Sequence, residues 1–243
     1  MYKSVVISAL WSPKRHWPEV IIEPGVRYCM LTDRHDVPEP WERVPLVVSG
    51  DHARYRTMTR FRMTGGSVFD DAESSLWIDS DIRMTAKPTE IIEKLVGSHD
   101  VGTFQHPHRD CPYNEVNALL HSRAAVVDPH YAARMFRALA DAQVEPGTPL
   151  SSCTVIARKN TEAAKKLSHD WQRHVETLCD WKHQASFTMA THTAGVSCNL
   201  VPWIHNGVIE HTLRDYHLSK RERMKNPQGR RAVERRKKRR RKK

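Results

Sequence analysis

The sequence has no long apolar run and no paired cysteines. No stretch of its 243 residues approaches the roughly 18 apolar residues that a membrane helix needs, and Val5–Ile7 follows Met1 too closely for a signal peptide. The five cysteines are widely spaced without a C-x-x-C pair, which argues against a disulfide framework and a zinc ribbon. These absences predict a cytoplasmic protein with no membrane partner and with reduced, mostly buried thiols.

The charge is unevenly divided along the chain. Residues 220–243 carry 15 of the 39 Lys and Arg residues and only two acids, so they account for the whole formal excess of +11. The first 219 residues hold 24 basic and 26 acidic side chains, which excludes a wholly basic, histone-like protein. We therefore expect one folded domain at 1–219 and a disordered basic tail at 220–243.

Short apolar strands alternate with helical patterns along the body, as is typical of an α/β domain. The predicted strands are Val5–Leu10, Tyr28–Thr32, Val44–Val48, Ser75–Ile78, Val101–Phe104, Cys153–Ala157 and Val196–Val201. The predicted helices are Asp51–Arg62, Thr89–Val96, Ala132–Ala142, Thr161–Leu178 and Gln184–Ala194.

Two acids follow the fourth predicted strand. Asp79 and Asp81 are spaced i, i+2, so on an extended backbone their carboxylates point the same way and can meet one divalent cation. The carboxyl end of a strand is where α/β proteins bind ligands, and two hard oxygen ligands suit Mg²⁺ or Mn²⁺ on a diphosphate. The alternative is a solvated turn.

A second polar cluster follows the next strand. His106, His108 and Asp110 form an H-x-H-x-D pattern that resembles the zinc motif of metallo-β-lactamase-fold hydrolases, although that family has His where Cys111 stands. A zinc hydrolase or nuclease is therefore one alternative. The other is that His106 and Arg109 line a sugar or phosphate pocket and Asp110 orients them.

Four further residues, in three segments, have side chains suited to binding or catalysis. His183 and Gln184 open a predicted helix, where polar groups beside free N–H donors can bind an anion or an acceptor hydroxyl, or simply cap the helix. His205 follows a late strand and is a natural third metal ligand, although a lone His is more often structural. Asp33 ends the second strand, where it can bond a ribose or base edge or merely cap a loop.

Taken in order, these blocks resemble a GT-A type glycosyltransferase domain, the family shared by plant pectin and mucilage galacturonosyltransferases and microbial relatives. The resemblance covers roughly residues 3 to 205, and its most specific part is the pair S-L-W-I-D and H-P-x-R-D-C-x-Y. One departure is that the family's R-D-Q reads Lys-His-Gln here, so histidine replaces an acidic group. The matching blocks are Tyr28–Asp33, Arg54–Arg62, Ser75–Ile82, His106–Glu115 and Lys182–Phe187.

The resemblance implies a GT-A-like (Rossmann-like) mixed, mostly parallel sheet flanked by helices. It also implies transfer of a sugar from a nucleotide sugar, expected to be a UDP-sugar, to the hydroxyl of a glycan or a modified nucleic-acid base, with Mn²⁺ or Mg²⁺ as cofactor. The implied metal ligands are Asp79, Asp81 and His205. The implied donor-binding residues are Asp33, Arg54, Arg56, Asp79, His106 and Arg109. The implied catalytic residues are Asp110, His183 and Gln184.

The basic run also suggests a function that is not enzymatic. A cationic segment binds any polyanion, so the 220–243 tail favours a nucleic-acid partner, either as the whole function of the protein or as a tether for the enzyme. A tail that only solubilises or localises the protein is the simpler interpretation.

Overall fold

The computed structural model describes residues 1–11, 16–46, 48, 50–121, 129–178, 182–203 and 207–211. Within this part of the chain, nine strands and six α-helices form an α/β fold, as predicted. The strands are β1 Ser4–Ala9, β2 Val26–Thr32, β3 Glu42–Pro45, β4 Ser74–Ile78, β5 Ile82–Met84, β6 Val101–Gln105, β7 Ser151–Lys159, β8 Cys198–Val201 and β9 Ile209–His211. The helices are α1 Asp51–Thr64, α2 Pro88–Val96, α3 Pro112–Leu120, α4 Pro129–Asp141, α5 Glu162–Leu178 and α6 Gln184–Ala194.

Seven strands form the main sheet, in the order β3-β2-β1-β4-β7-β6-β8. All neighbouring pairs are parallel except those that β7 makes with β4 and β6. The central strands are buried on both faces, which is why their sequences are continuous apolar runs without polar alternation. Because only β7 is reversed, the carboxyl ends of β1, β4 and β6 and the amino end of β7 all meet at one edge of the sheet.

Helices cover both faces of this sheet. One face packs against α1, α5 and α6 around Trp77, Trp171 and Phe187. The other face packs mainly against α2 and includes Ile91 and Phe104. The mixed, mostly parallel sheet flanked by helices that the sequence predicted is therefore confirmed.

The amino end of β7 contains a backbone irregularity. Cys153 adopts a φ of 55°, in the left-handed region that a non-glycine residue rarely occupies. The pairing of β6 with β7 shifts register here, between Thr103 and Gln105. Next to the irregularity, the Thr154 carbonyl accepts a 2.9 Å hydrogen bond from the Asp79 N–H. Bulges of this kind re-aim side chains at sheet edges, and this one lies beside the predicted carboxylates.

Three elements were not predicted. Helix α3 starts with Pro112 just inside its first turn, a position that tolerates proline, and its Val116 and Leu119 pack against α4 and α6. The three-residue strands β5 and β9 pair antiparallel with each other. Strand β3 was predicted at Val44–Val48 but lies at Glu42–Pro45, on the edge of the sheet where proline is tolerated.

Other predictions fall on residues that the structure does not describe. They include His205, the last part of the 1–219 domain and the whole 220–243 tail. No helix among the described residues is long and apolar enough to span a membrane.

Candidate active site

A cleft of about 440 Å³ opens at the edge of the sheet where β1 and β4 end. Side chains from α1 and from both strand ends form its walls. It is lined by Ala9, Leu10, Trp11, Tyr55, Met58, Arg62, Trp77, Asp79, Ser80 and Asp81. A second cleft of similar volume runs between α6 and β8, but none of the residues predicted to act in binding or catalysis lines it. The cleft beside Asp79 is therefore the candidate site.

The Asp79 carboxylate is held in place by two donors. Its Oδ1 atom accepts a 2.9 Å hydrogen bond from Trp77 Nε1 and another from Arg62 Nη2, while its backbone N–H is bound to β7. Trp77 is buried, so the indole is a rigid support for the carboxylate. A charge-assisted bond to a guanidinium is among the stronger hydrogen bonds in proteins, so the position of Asp79 is well defined.

Arg62 connects three parts of the site. Its guanidinium carbon lies 5.2 Å from the centre of the Trp77 ring, close enough for a cation–π interaction. Its Nη1 atom contacts Nε2 of His183, and its Nη2 atom binds Asp79. Because arginine only donates hydrogen bonds, Nε2 of His183 is the acceptor in this contact. Arg62 therefore joins α1, the end of β4 and the start of α6.

Arg62 was not among the donor-binding residues predicted from the sequence. In the structure Tyr55, Met58 and Arg62 all line the cleft, and Arg62 is only 7% exposed. The spacing of three and four residues between them carries that signal, because such positions share one face of a helix.

The predicted metal ligands are only partly described. Asp79 and Asp81 both line the cleft, whereas His205 lies outside the described residues. No group of three or more His, Cys, Asp or Glu side chains in the described part of the chain could hold a metal ion. Two carboxylates at a strand end nevertheless fit Mg²⁺ or Mn²⁺, since Mg²⁺ is usually bound by one or two carboxylates, substrate phosphates and water.

His183 and Gln184 are fixed by the surrounding fold. His183 precedes α6 with a φ of 50° and is 5% exposed, and its carbonyl accepts a 2.8 Å bond from Trp171 Nε1. Gln184 donates from its side-chain amide to the Ser152 carbonyl at 2.9 Å. Of these two predicted catalytic residues, the structure brings His183 into contact with the Arg62–Asp79 pair. Their catalytic role stays a prediction.

Asp33 and Arg54 come together as an ion pair of 2.8 Å, in which both side chains are about 30% exposed. Asp33 follows the end of β2, and Arg54 is in the first turn of α1, so the pair stands at the same sheet edge as the cleft. Arg56 is exposed on α1 and does not line the cleft. The first two predicted donor-binding residues thus form one unit, and Arg56 is separate from the cleft wall.

His106 and Arg109 form a further polar unit at the end of β6. The Nδ1 atom of His106 accepts hydrogen bonds of 3.1 and 3.0 Å from the backbone N–H groups of His108 and Arg109. Arg109 Nε lies 2.8 Å from a carboxylate oxygen of the buried Glu115. Burial, reinforced by the nearby charge of Arg109 and by His108, lowers the pKa of His106 to about 4. His106 is therefore neutral near pH 7.

The described side chains do not form the alternative zinc site at His106, His108 and Asp110. These three residues belong to the described part of the chain, where no metal-binding group of three was found, and Nδ1 of His106 is engaged by backbone donors. Asp110 is exposed and accepts a 2.6 Å bond from the Asn114 amide, which holds the pKa of its carboxyl below the usual value. Its predicted catalytic role stays a prediction.

The chain was compared with curated proteins, with solved structures and with models of protein families. A search of curated proteins by sequence finds no match. Among solved structures, the apo WbbM bifunctional glycosyltransferase is 9% identical, with a TM-score of 0.45 over 82% of this chain, which spans only 38% of that one. The galactosyltransferase LgtC with donor and acceptor sugar analogues is 11% identical, with a TM-score of 0.38 over 82% of this chain and 72% of that one. The Mn/GDP form of core-mannan synthase A from Aspergillus fumigatus is 9% identical, with a TM-score of 0.42 over 87% of this chain and 75% of that one.

The family-level comparison is stronger. A family model described as the TOD1/MUCI70 glycosyltransferase-like domain matches residues 61–198, which is more than half of the chain. The matched segment contains Arg62, Asp79, Asp81, His106 and His183, the residues that surround the cleft and the adjoining edge of the sheet. The glycosyltransferase-like domain expected from the sequence is therefore confirmed, and the chain belongs to the TOD1/MUCI70 glycosyltransferase-like family.

Proposed function

We propose that the protein transfers a sugar from a nucleotide sugar, a UDP-sugar in the first instance, to an acceptor hydroxyl. The observation that carries this proposal is the cleft at the sheet edge, where the Asp79 carboxylate binds the guanidinium of Arg62 and Asp81 lines the same cleft. Carboxylates next to a fixed cation are suited to a ligand that carries a diphosphate and a divalent cation together.

The residues of the cleft match the charge that the reaction develops. When the bond between the anomeric carbon and the diphosphate oxygen breaks, that oxygen keeps the electron pair and the diphosphate gains negative charge. Arg62 is held beside the cleft before the reaction, so its donors need little reorganisation to stabilise this charge. A divalent cation held by Asp79 and Asp81 would add Lewis-acid stabilisation of the same leaving group.

The remaining polar units are assigned to the two ends of the substrate. The Asp33–Arg54 pair is placed at the nucleoside, because it stands at the sheet edge on the β2 side of the cleft. His106 and Arg109 are placed at the sugar, with Asp110 and Gln184 toward the acceptor. His183 contacts the Arg62 guanidinium through Nε2, so its role is to orient the guanidinium.

The acceptor is proposed to be a glycan, with a modified nucleic-acid base as the second candidate. The second candidate rests on the 15 basic side chains of residues 220–243, which provide a charge that attracts a polyanion. In that case the tail holds the enzyme on its substrate and the cleft performs the transfer.

A thermal-shift panel tests the donor assignment. The intact chain is melted with several nucleotide sugars, each with Mn²⁺ or with EDTA. A donor at about 100 times its Kd stabilises the folded state by about 2.7 kcal/mol, which raises the melting temperature measurably. We expect a UDP-sugar to give this shift with Mn²⁺ and a smaller one with EDTA.

The matched variants are Asp81→Asn and Asp170→Asn. Asp81→Asn removes a carboxylate from the cleft but leaves the Arg62–Asp79 contact in place, and it should abolish the metal-dependent part of the shift. Asp170 lies on α5 and pairs with Arg173, so its replacement should change nothing in donor binding. If no nucleotide sugar shifts the melting temperature, or if Asp81→Asn responds like the unmodified chain, the assignment is wrong.

A further inference from the structure

Arg158 is a cation in the middle of the protein core. It lies near the end of β7 and is 1% exposed, and no ion pair to a carboxylate is found for it among the described residues. Burial lowers the pKa of its guanidinium to about 10, so the group remains charged near pH 7. Desolvating an unpaired charge is unfavourable, and an apolar side chain of similar volume would avoid that cost. We therefore expect this buried charge to have a role in the structure or function of the protein.

The described contact of Arg158 is with the backbone of the site. Its Nη2 atom donates a hydrogen bond to the carbonyl oxygen of Arg62, while Nη1 is buried without a hydrogen-bond partner in the described residues. The Arg62 carbonyl is in the last turn of α1, and the N–H that would normally bind it belongs to Gly66. That N–H donates to the Thr64 hydroxyl at 3.1 Å instead. Arg158 thus satisfies a helix carbonyl and places positive charge at the negative end of the helix dipole.

Arg62 is consequently held at both ends. Its side chain binds Asp79 and contacts His183, and its carbonyl binds Arg158 on β7. The same strand binds the Asp79 backbone through the Thr154 carbonyl. Strand β7 therefore fixes the main chain of both members of the Arg62–Asp79 pair, one from its amino end and the other from its carboxyl end.

We propose that Arg158 is a positioning residue for Arg62: it fixes the carboxyl end of α1 so that the Arg62 guanidinium faces the cleft. The inference rests on the proposed function, in which Arg62 binds the diphosphate of the donor. It assigns no contact with substrate to Arg158, which acts only through Arg62.

A double-mutant cycle separates positioning from general stability. Arg158→Met, Arg62→Met and the double variant are compared with the unmodified chain for binding of UDP with Mn²⁺, measured by titration calorimetry. We expect Arg158→Met alone to weaken UDP binding about tenfold, and to weaken it less than twofold when Arg62 is already Met, since residues in one network couple. Arg173→Met, on the exposed face of α5, makes the same chemical change outside the network and should leave UDP binding unchanged.

Hydrogen exchange provides a second measurement that does not depend on UDP. If Arg158 anchors the end of α1, Arg158→Met should speed exchange of the amides around Thr64 and Gly65, and Arg158→Lys should partly restore protection. If Arg158→Met does not fold, Arg158→Lys replaces it in the cycle, with a smaller loss expected from its single donor group.

The outcomes distinguish the two proposals. Equal losses of UDP affinity in the presence and absence of Arg62 would overturn positioning through Arg62, as would unchanged exchange at the end of α1. An unmodified chain that binds neither UDP nor any UDP-sugar would overturn the proposed function, and the exchange experiment would then still decide whether Arg158 anchors the helix.

Discussion

His106 is held at the end of β6 as an uncharged acceptor. The backbone N–H groups of His108 and Arg109 donate to its Nδ1 atom, and the Arg109 guanidinium lies 3.3 Å from its Nε2 atom. Burial and this neighbouring cation disfavour the imidazolium, so the pKa falls from 6.5 to about 4. The ring therefore organises the turn after β6 as a neutral group.

This pKa predicts how stability depends on pH. Between about pH 6.5 and pH 4 the unfolded chain protonates His106 and the folded chain does not, so unfolding takes up a proton. The contribution of His106 to stability is complete above pH 6.5 and is lost as the pH falls toward 4. His106→Gln keeps an acceptor for the backbone donors but does not titrate. Its melting temperature should therefore fall less between pH 6.5 and pH 4.5 than that of the unmodified chain.

The neighbouring His108 provides the control. His108 is exposed, and the ring centres of the two histidines are 6.1 Å apart, so His108→Gln replaces an imidazole in the same turn without removing the buried acceptor. Its melting curve against pH should follow that of the unmodified chain. Parallel curves for His106→Gln and the unmodified chain would show that His106 titrates normally in the folded protein.

Individual site residues were predictable where the chemistry is local in the sequence. Asp79 and Asp81 directly follow an apolar strand, and Asp33 ends another. The predicted strand ends were therefore enough to place these three carboxylates at the edge of the sheet where the cleft lies. Arg62 was missed because its importance depends on contacts with Asp79 and His183, 17 and 121 positions away. The spacing from Tyr55 and Met58 puts Arg62 on the cleft face of α1, but no local pattern identifies its distant partners.

At the scale of whole elements, β6 and α2 approach each other unusually closely. A Cβ atom added at Gly102 would lie 1.9 Å from the Leu95 carbonyl oxygen, and that oxygen also accepts a 2.7 Å bond from the Asn199 amide. Since the obstacle is backbone, it cannot rotate away. Gly102 therefore sets the distance between the sheet and α2.

Replacing Gly102 should separate these two elements. We expect Gly102→Ala to lower the free energy of unfolding by on the order of 3 kcal/mol, because a helix must shift to accommodate the methyl group. Urea denaturation measures the change. Gly25→Ala adds the same methyl group where nothing lies within 4 Å, and its cost should be only the roughly 1 kcal/mol of a positive φ. Equal losses of unfolding free energy in the two variants would mean that the close approach of α2 to β6 does not exclude a side chain at position 102.

The predictability of each element depended on its own hydrophobic pattern. Long amphipathic helices such as α5, and apolar strands such as β1 and β4, were found within one or two residues of their ends. Helix α3 was missed because its segment was interpreted only as a polar motif, and the pair β5–β9 because each strand has three residues. Strand β7 runs antiparallel to its neighbours in the sheet. The sequence of a strand does not specify which strands lie beside it, so this direction could not be predicted.

At the scale of the molecule, the sites of the α/β domain gather at one edge of the sheet. The cleft with Asp79, the Asp33–Arg54 pair and the turn with His106 all follow the carboxyl ends of parallel strands. Ligands bind α/β sheets at this edge because the strands end there while the helices pack on the faces. The reversed β7 strengthens the arrangement, since its amino end supplies carbonyls that hold Asp79 and Gln184.

The charge distribution predicts that removing the basic run separates two binding activities. Deleting residues 220–243 takes away 15 basic and two acidic side chains, which leaves a body of 24 basic and 26 acidic residues. A chain that neutralises several phosphates loses affinity for DNA steeply as the salt concentration rises, whereas a near-neutral chain has no such electrostatic attraction.

We expect the full chain to bind a labelled DNA duplex in fluorescence anisotropy at 50 mM salt and to lose most of that affinity, by about 10³-fold or more, at 200 mM. The shortened chain should not bind the duplex at either salt concentration, yet should keep its melting temperature and its response to a UDP-sugar, because every described cleft residue precedes the deletion. If the shortened chain binds the duplex as tightly as the full chain, the nucleic-acid contact lies on the folded domain and the tail is not the tether.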